Sequence, residues 1–408
     1  MISSFFNIFN NKVYYFDNNA TTLIYDKEVY NIVNDWLSCA NPSNTLHLQG
    51  QEANKQLEKC RQIVADDLGV ESNEIYFTGS ATEANNIIIQ GVINKSLEKY
   101  NNITVITSTF EHPSVLNIFK KYENNYNINV VYIPLDLNTE SNNYGSVDTS
   151  AFIKALNSYN NIALVSIMFA NNESGAINNI KLIGQQIRNK NISQNDINTF
   201  FHCDCTQIIG KHQIKPKELF IDSITFSGHK FHSPKGVGCL YINNKNNKCP
   251  ICGICFGGEQ EETIRPGTEN IAYISALTYS LINVHKNRKE KNKKLTELKL
   301  YLMVELNKLN CILITPKHSL NNTIMFVLPP LKICNRQFCN IISKKYGICL
   351  GTSSACQTNK FSHVLNAMGI DEKYKLRVIR LSTSDYTTFS ECEYLIDKIK
   401  EMIEEYKN

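Results

Sequence analysis

Between Glu74 and Ile242 short apolar runs alternate with amphipathic stretches, and this alternation narrows the fold more than any other feature of the chain. The apolar runs are Glu74–Thr78, Ile103–Ser108, Asn129–Ile133, Ile162–Phe169, Thr199–Cys203, Ser223–Phe226 and Gly238–Ile242. Runs this short, rich in Ile, Val, Thr and Phe, read as strands. Helical stretches such as Glu83–Glu98 and Ile180–Asn189 lie between several of them. Strands alternating with helices predict an α/β fold with a mostly parallel, seven-stranded sheet. Ligands of such sheets bind outside the carboxyl ends of the strands, which says where to look for chemistry.

After about Thr268 the pattern changes. A charged helical stretch, His285–Asn307, carries Lys-Asn-Arg-Lys-Glu-Lys-Asn-Lys-Lys and reads as a helix with a solvated face. A strand (Thr323–Leu328), a helix (Arg336–Tyr346), a strand (Val378–Ser382) and a final helix (Glu391–Tyr406) follow. This order predicts a smaller α+β domain. We expect residues 26–268 to form the large domain, and 1–25 together with 269–408 the small one.

Composition excludes several classes. With 408 residues, 42% hydrophobic and 20% charged, the chain can bury a sizeable core and is not of the disordered type. A formal charge of +4 gives no reason to expect nucleic acid as the main partner. No apolar run reaches the length of a membrane span. Met1–Lys12 lacks both the basic start of a secretory signal and the arginines of a transit peptide, so it reads as a short arm, with no organellar targeting evident. Fourteen cysteines in a chain this long are not a disulfide scaffold. Cys203, Cys205 and Cys239 sit in apolar runs, where free thiols act as small hydrophobes, and the expected compartment is reducing and cytoplasmic.

Five segments carry chemistry. In Ser227-Gly228-His229-Lys230, Lys230 falls just past a strand and could form a Schiff base with an aldehyde. In Phe201-His202-Cys203-Asp204-Cys205-Thr206-Gln207, Asp204 closes a strand. A carboxylate there could face the ring nitrogen of a pyridoxal cofactor, although alone it equally fits a helix-cap aspartate. Thr78-Gly79-Ser80-Ala81-Thr82-Glu83 joins a strand to a helix and fits both an anion site and a capping box. Glu111-His112 follows a strand, where an imidazole can stack on an aromatic ring and move protons. Leu350 to Asn359 reads as a small polar loop carrying Cys356, a poor packing element but a good nucleophile when its pKa is lowered.

In this order the residues resemble the cysteine desulfurase family, the class V aminotransferase-like group with NifS- and IscS-type members. The resemblance runs over nearly the whole chain. It includes Phe16-Asp17-Asn18-Asn19-Ala20-Thr21-Thr22, Thr82-Glu83-Ala84-Asn85-Asn86, Asn171-Asn172-Glu173, Gly257-Gly258-Glu259-Gln260-Glu261, Ser354-Ala355-Cys356 and Ile379-Arg380-Leu381-Ser382. It implies the type I fold of pyridoxal-phosphate transferases, aspartate aminotransferase-like, with pyridoxal 5'-phosphate as cofactor. It implies that Lys230 holds the cofactor, that Asp204 and Gln207 contact its ring, and that His112 stacks on it. Ala81, Thr82, Ser227 and His229 would surround the phosphate, with Thr268 reaching it from the partner subunit of a homodimer. Asn172, which also lines the cofactor site, and Arg380 would hold the substrate carboxylate, for which a guanidinium fork is well shaped. Cys356 would take the sulfur of L-cysteine as a persulfide, leaving alanine, and pass it to an acceptor for iron–sulfur cluster assembly or tRNA thiolation.

The chain departs from the family in three places. Gly79-Ser80 inverts the usual order of two small residues. The stretch from Cys356 to Leu365 is slightly shorter than in the long-loop subgroup. The C-terminal extension by which IscS-like members dock a scaffold protein has no counterpart beyond Glu401–Asn408, so that partner does not carry over. Outside the pattern lies Cys249-Pro250-Ile251-Cys252-Gly253-Ile254-Cys255, whose spacing is that of an iron–sulfur run. We read it as a strand leading into Gly257-Gly258 and expect no metal there. Two other functions stay open: a selenocysteine lyase or related pyridoxal enzyme, and a catalytically silent scaffold member.

Overall fold

The computed structural model describes residues 12–125, 128–193, 198–243, 251–352 and 361–407. The arm expected at the N-terminus lies outside them, apart from Lys12. In chain order the strands are β1 (Tyr14–Phe16), β2 (Ile75–Thr78), β3 (Ile103–Ser108), β4 (Ile128–Ile133), β5 (Ile162–Ser166) and β6 (Phe200–Asp204). Then come β7 (Ser223–Ser227), β8 (Gly238–Ile242), β9 (Ile312–Leu313), β10 (Thr323–Val327), β11 (Ile348–Thr352) and β12 (Val378–Ser382). Two compact units divide the chain: Leu23–Asn171 with Ile177–Lys286, and Met1–Thr22 with Asn172–Ala176 and Asn287–Asn408.

The larger unit holds a seven-stranded sheet in the order β2-β8-β7-β6-β5-β3-β4. It is parallel except for β8, which runs against both neighbours. Every residue of β2, β3, β5, β7 and β8 is buried. This is why these strands read as continuous apolar runs: helices cover both faces of a parallel sheet. The helix Ala81–Leu97 buries Ile87, Ile88 and Ile89 in succession, so it is covered on most sides and shows little amphipathic stripe. The pairing leaves the carboxyl ends of β2, β3, β5, β6 and β7 on one edge, with the start of β8 beside them.

The segment expected as a cysteine-bearing strand is irregular over its described residues, Ile251–Phe256. Cys252 N–H donates to the Gly91 carbonyl at 3.2 Å, and a Cβ on Gly91 would lie 2.9 Å from both Ile251 Cβ and the Cys252 carbonyl oxygen. The segment therefore packs onto the helix Ala81–Leu97, and Cys252 Sγ donates to Glu98 at 2.8 Å. Cys249 lies outside the described residues. Among those described, no group of three His, Cys, Asp or Glu is placed to hold a metal ion, and no helix is long and apolar enough to cross a membrane.

The smaller unit has a five-stranded sheet, β1-β11-β12-β10-β9, antiparallel except for the β1–β11 pair. Its core gathers Leu298, Leu302, Phe326, Phe338, Leu395 and Ile399 from the sheet and the helices Arg288–Lys308, Asn335–Tyr346 and Phe389–Glu405. The charged helix starts at Arg288, not His285. His285 ends a separate buried helix, Ile271–His285, and Asn287 breaks the chain in the left-handed region at φ 54°. Leu295, Leu298, Leu302 and Leu306 form its buried stripe. Lys299 flanks that stripe, donating to Ser319 Oγ and the Leu320 carbonyl at 2.8 Å each. Leu350, Gly351 and Thr352, expected in a loop, are the end of β11.

Candidate active site

The carboxyl edge of the larger sheet collects most of the expected residues. Asp204 ends β6 and is 5% exposed. Its Oδ1 accepts from Thr206 N at 2.9 Å and its Oδ2 from Asn85 Nδ2 at 2.9 Å, both neutral donors. Gln207 is buried in the turn that follows. On the neighbouring strand, β7 ends at Ser227 and runs into the turn Gly228–Lys230. Lys230 and His229 are half-buried there. Burial, with the charges of Lys230 and Lys235, pushes the His229 imidazole down to about 4.

Ser227 Oγ accepts from Ala81 N at 2.7 Å, tying the end of β7 to the first turn of the helix Ala81–Leu97. Ser80 caps that helix by accepting from Glu83 N at 3.2 Å, one half of the expected capping box. The other half is displaced: Glu83 Oε2 accepts from Gly79 N, one residue further back, and Oε1 from Arg265 Nε at 3.1 Å. Gly238 at the start of β8 lets this turn approach closely, because a Cβ on it would lie 2.6 Å from the Ser80 carbonyl carbon. Thr82 is exposed on the first turn. Thr268 is also exposed, outside the hydrogen-bonded set formed by the described residues at this edge.

His112 follows β3 and is exposed. Its Nδ1 accepts from Ser114 N at 3.2 Å and lies 2.8 Å from Ser114 Oγ. Glu111 beside it is fully buried. It accepts from Ser108 Oγ and, with both oxygens, from Met168 N at 2.9 and 3.0 Å. Burial pushes the Glu111 carboxyl up to about 8 against the pull of those hydrogen bonds. Glu111 thus joins the segment bearing His112 to the chain beyond β5. Its role and that of Asn85 were not read from the sequence, although both stand beside residues that were.

The smaller unit holds Arg380 and Asn172. Arg380, on β12, is 7% exposed. Its Nη2 pairs with Asp17 Oδ1 at 2.5 Å and its Nη1 donates to the Asn172 carbonyl at 3.1 Å, while Nε is buried without a hydrogen-bond partner among the described residues. Gly351 on β11 lies alongside. A Cβ there would sit 2.8 Å from Arg380 Nη2 and 3.0 Å from Nε, so the glycine keeps this face of the fork open. Asn19 Nδ2 donates to the Asn172 carbonyl at 3.2 Å and to Thr323 Oγ1 at 2.8 Å. Asp17 and Asn19 were legible only as part of a family-like motif. Cys356 lies outside the described residues. Among the described cysteines, burial pushes Cys311, Cys339 and Cys392 up to about 12 and raises Cys203 and Cys239 further, which disfavours the nucleophilic thiolate.

Residues 14–395 match the family described as Aminotransferase class-V. A cysteine desulfurase of Trichormus azollae is 32% identical over 96% of this chain and 93% of its own length. The chain belongs to the cysteine desulfurase group of the class-V aminotransferases. Cysteine desulfurase IscS of Methanosarcina thermophila is likewise 32% identical, over 98% of this chain and 94% of its own length. A solved NifS-like protein superposes with a TM-score of 0.85 at 34% identity, covering 97% of this chain and all of the other (100%). A NifS-like protein from Rickettsia africae gives 0.81 at 29% identity, covering 96% and 100%. The fold is that of the type I pyridoxal-phosphate enzymes, and the family depends on pyridoxal 5'-phosphate.

The donor set of the larger unit suits that group. A pyridinium needs a carboxylate, and Asp204 is buried with neutral donors for partners. A phosphate needs N–H and O–H donors at a helix N-terminus, and the Ala81–Ser227 junction with Thr82 supplies that environment. His229, neutral between two lysines, suits the approach of an anion, which would draw its pKa back up.

Proposed function

We propose that this cysteine desulfurase works through Lys230 and Cys356, with Asp204, Gln207, His112, Ala81, Thr82, Ser227 and His229 holding the cofactor and Asn172 and Arg380 the substrate carboxylate. The observation that carries the reading is the pairing of strand ends. Asp204 and Lys230 emerge from adjacent parallel strands, β6 and β7, one as a buried carboxylate and the other as an amine on a tight turn.

When bound, pyridoxal phosphate supplies an aldehyde for covalent attachment and a ring that takes up the electrons released at the substrate's α-carbon. Lys230 Nζ would be the point of attachment and, as a free amine, would move the proton at that carbon. Asp204 would accept a hydrogen bond from the protonated ring nitrogen and favour its charge. His112 would hold the ring by stacking. The Arg380 fork, with Nε unused, and Asn172 orient the substrate carboxylate. Cys356 thiolate then attacks the substrate sulfur. A sulfur–sulfur bond forms, the carbon–sulfur bond breaks with its electron pair left on carbon, and a proton completes alanine. The persulfide on Cys356 is reversible, which suits transfer to an acceptor.

Two variants test the assignment. Lys230→Ala should lose the visible absorbance of the attached cofactor. Cys356→Ser should keep that absorbance and lose sulfide release from L-cysteine; wild-type desulfuration in it would overturn the assignment of Cys356. Exposed Thr268 supports a homodimer in which it completes the partner's phosphate site. The described cysteines are all free thiols, which supports a reducing, cytoplasmic setting. Trapping the acceptor of the Cys356 persulfide would separate cluster assembly from tRNA thiolation.

A further inference from the structure

We infer that Asn85 is a positioning residue for the reaction, a buried amide that sets the Asp204 carboxylate and the His112 ring together. This rests on the reading of Asp204 and His112 given above. Asn85 is 0% exposed and stands on the helix Ala81–Leu97, within reach of β6, β7 and the helix that follows β3. Its Nδ2 donates to Asp204 Oδ2 at 2.9 Å and to Ser114 Oγ at 3.0 Å. Its Oδ1 accepts from Thr225 Oγ1 at 2.6 Å and faces His202 Nε2 at 3.1 Å.

Only one orientation of the amide satisfies these partners. Turned over, it would set its oxygen against the Asp204 carboxylate, acceptor against acceptor. With Nδ2 toward Asp204, Oδ1 requires a proton on His202 Nε2. Burial pushes the fully buried His202 down to about 4, so its ring is neutral and Nδ1 accepts from Ser223 Oγ at 3.0 Å. The other arm runs to His112. Ser114 Oγ already accepts from Asn85, so its own proton is free for His112 Nδ1 at 2.8 Å. The Ser114 backbone N–H, which can only donate, points to the same nitrogen at 3.2 Å. His112 therefore rests as the neutral Nε2–H tautomer. One amide fixes the direction of a carboxylate on β6 and turns the Ser114 hydroxyl toward an imidazole beyond β3. Among the described residues the charged or titratable neighbours of the network include Asp204, His112, His202, Cys203 and Glu111, whose carboxyl feels the Asp204 charge.

The experiment compares wild type, Asn85→Leu and Ser114→Ala, each stripped of cofactor and titrated with pyridoxal phosphate. Asn85→Leu keeps the side-chain shape and removes the amide. Its affinity for the cofactor should fall about ten- to a hundredfold, the range for a lost hydrogen bond to a charged group. The pH at which its visible band interconverts should also move. A lowered thermal midpoint with cofactor affinity and band titration as in wild type would mean a purely structural role and overturn the inference. Ser114→Ala cuts only the arm to His112 and touches a half-buried residue, so it reports even if Asn85→Leu does not fold. ¹⁵N NMR of histidine-labelled protein should show His112 as the Nε2–H tautomer in wild type, and its Nδ1 resonance should shift in Ser114→Ala, where only the backbone N–H is left to donate to it. An unchanged Nδ1 resonance would overturn the inference. Wild type that takes up no pyridoxal phosphate would bring down the cofactor reading, and the inference with it. Wild type that binds while both variants match it would bring down the inference alone.

Discussion

At the scale of single residues, burial decides protonation. The Glu111 carboxyl titrates near 4.5 in an open chain and at about 8 in the fold. Between those values the folded protein keeps a proton that the unfolded chain has released. The stability tied to Glu111 is complete below the unfolded value and is lost as pH rises through the folded one. Glu111→Gln should remove that loss. Thermal unfolding of the cofactor-free proteins from pH 6 to 8.5 should show the wild type falling and the variant holding, a difference on the order of a few kcal/mol at the alkaline end. Parallel profiles would show that the carboxyl is ionised in the fold. His202 acts in the opposite window: depressed from 6.5 to about 4, it removes stability as pH falls between those values, so the two groups separate on the pH axis. Asp204 stands out in the sequence because it closes an apolar run, and Lys230 and His112 because they follow one, the place where such folds put chemistry. Asn85 and Glu111 do not stand out. Asn85 acquires its role from partners 29, 119 and 140 residues away, which no local pattern records.

At the scale of elements, legibility followed length and burial. The strands of the larger sheet were readable within a residue or two, except that the run ending at Phe169 leaves the sheet at Ser166. Beyond Ser166 the backbone serves the site: Met168 N donates to Glu111, and Asn178 Nδ2 donates to the Met168 carbonyl at 2.7 Å. In the smaller unit, β1 has three residues and β9 two, too few for any periodicity to register. β11 was hidden by its own composition, Ile-Cys-Leu-Gly-Thr running into serines. Its glycine has a structural reason. Gly351→Ala would set a methyl against Asp17 Oδ1 and against Arg380 Nη2 and Nε, and so close the face of the fork that a carboxylate would use. Steady-state kinetics should show KM for L-cysteine raised about tenfold or more with kcat changed much less, the mark of lost ground-state binding. An unchanged KM would remove Arg380 Nε from substrate recognition.

At the scale of the whole molecule, the chain divides into two units whose seams fall where no change of local composition marks them. The helix Ile271–His285 stays with the larger unit, and Asn172–Ala176 belongs to the smaller one although it lies between β5 and β6 in sequence. Long-range pairing explains why. Gly175 packs on Thr323, and β1 pairs with β11 more than three hundred residues away, Tyr14 opposite Ile348. Such contacts are set by tertiary fit and leave no trace in local composition. Each unit has a hydrophobic core of its own, one around Ile88, Val105 and Leu240 and one around Leu302, Phe326 and Phe338. The residues proposed to hold the cofactor, Thr268 included, belong to the larger unit, save Asn172. A ligand held by one unit stabilises that unit by mass action, about 2.7 kcal/mol at a hundredfold excess over Kd, and slows its opening about a hundredfold. Native-state hydrogen exchange with and without pyridoxal phosphate should therefore show β6 and β7 amides slowed by that factor. Amides of β10 and β12 that exchange by opening of the smaller unit alone should keep their rates. Equal slowing in both sheets would mean that the units open together, and no slowing in β6 and β7 would move the cofactor away from Asp204 and Lys230.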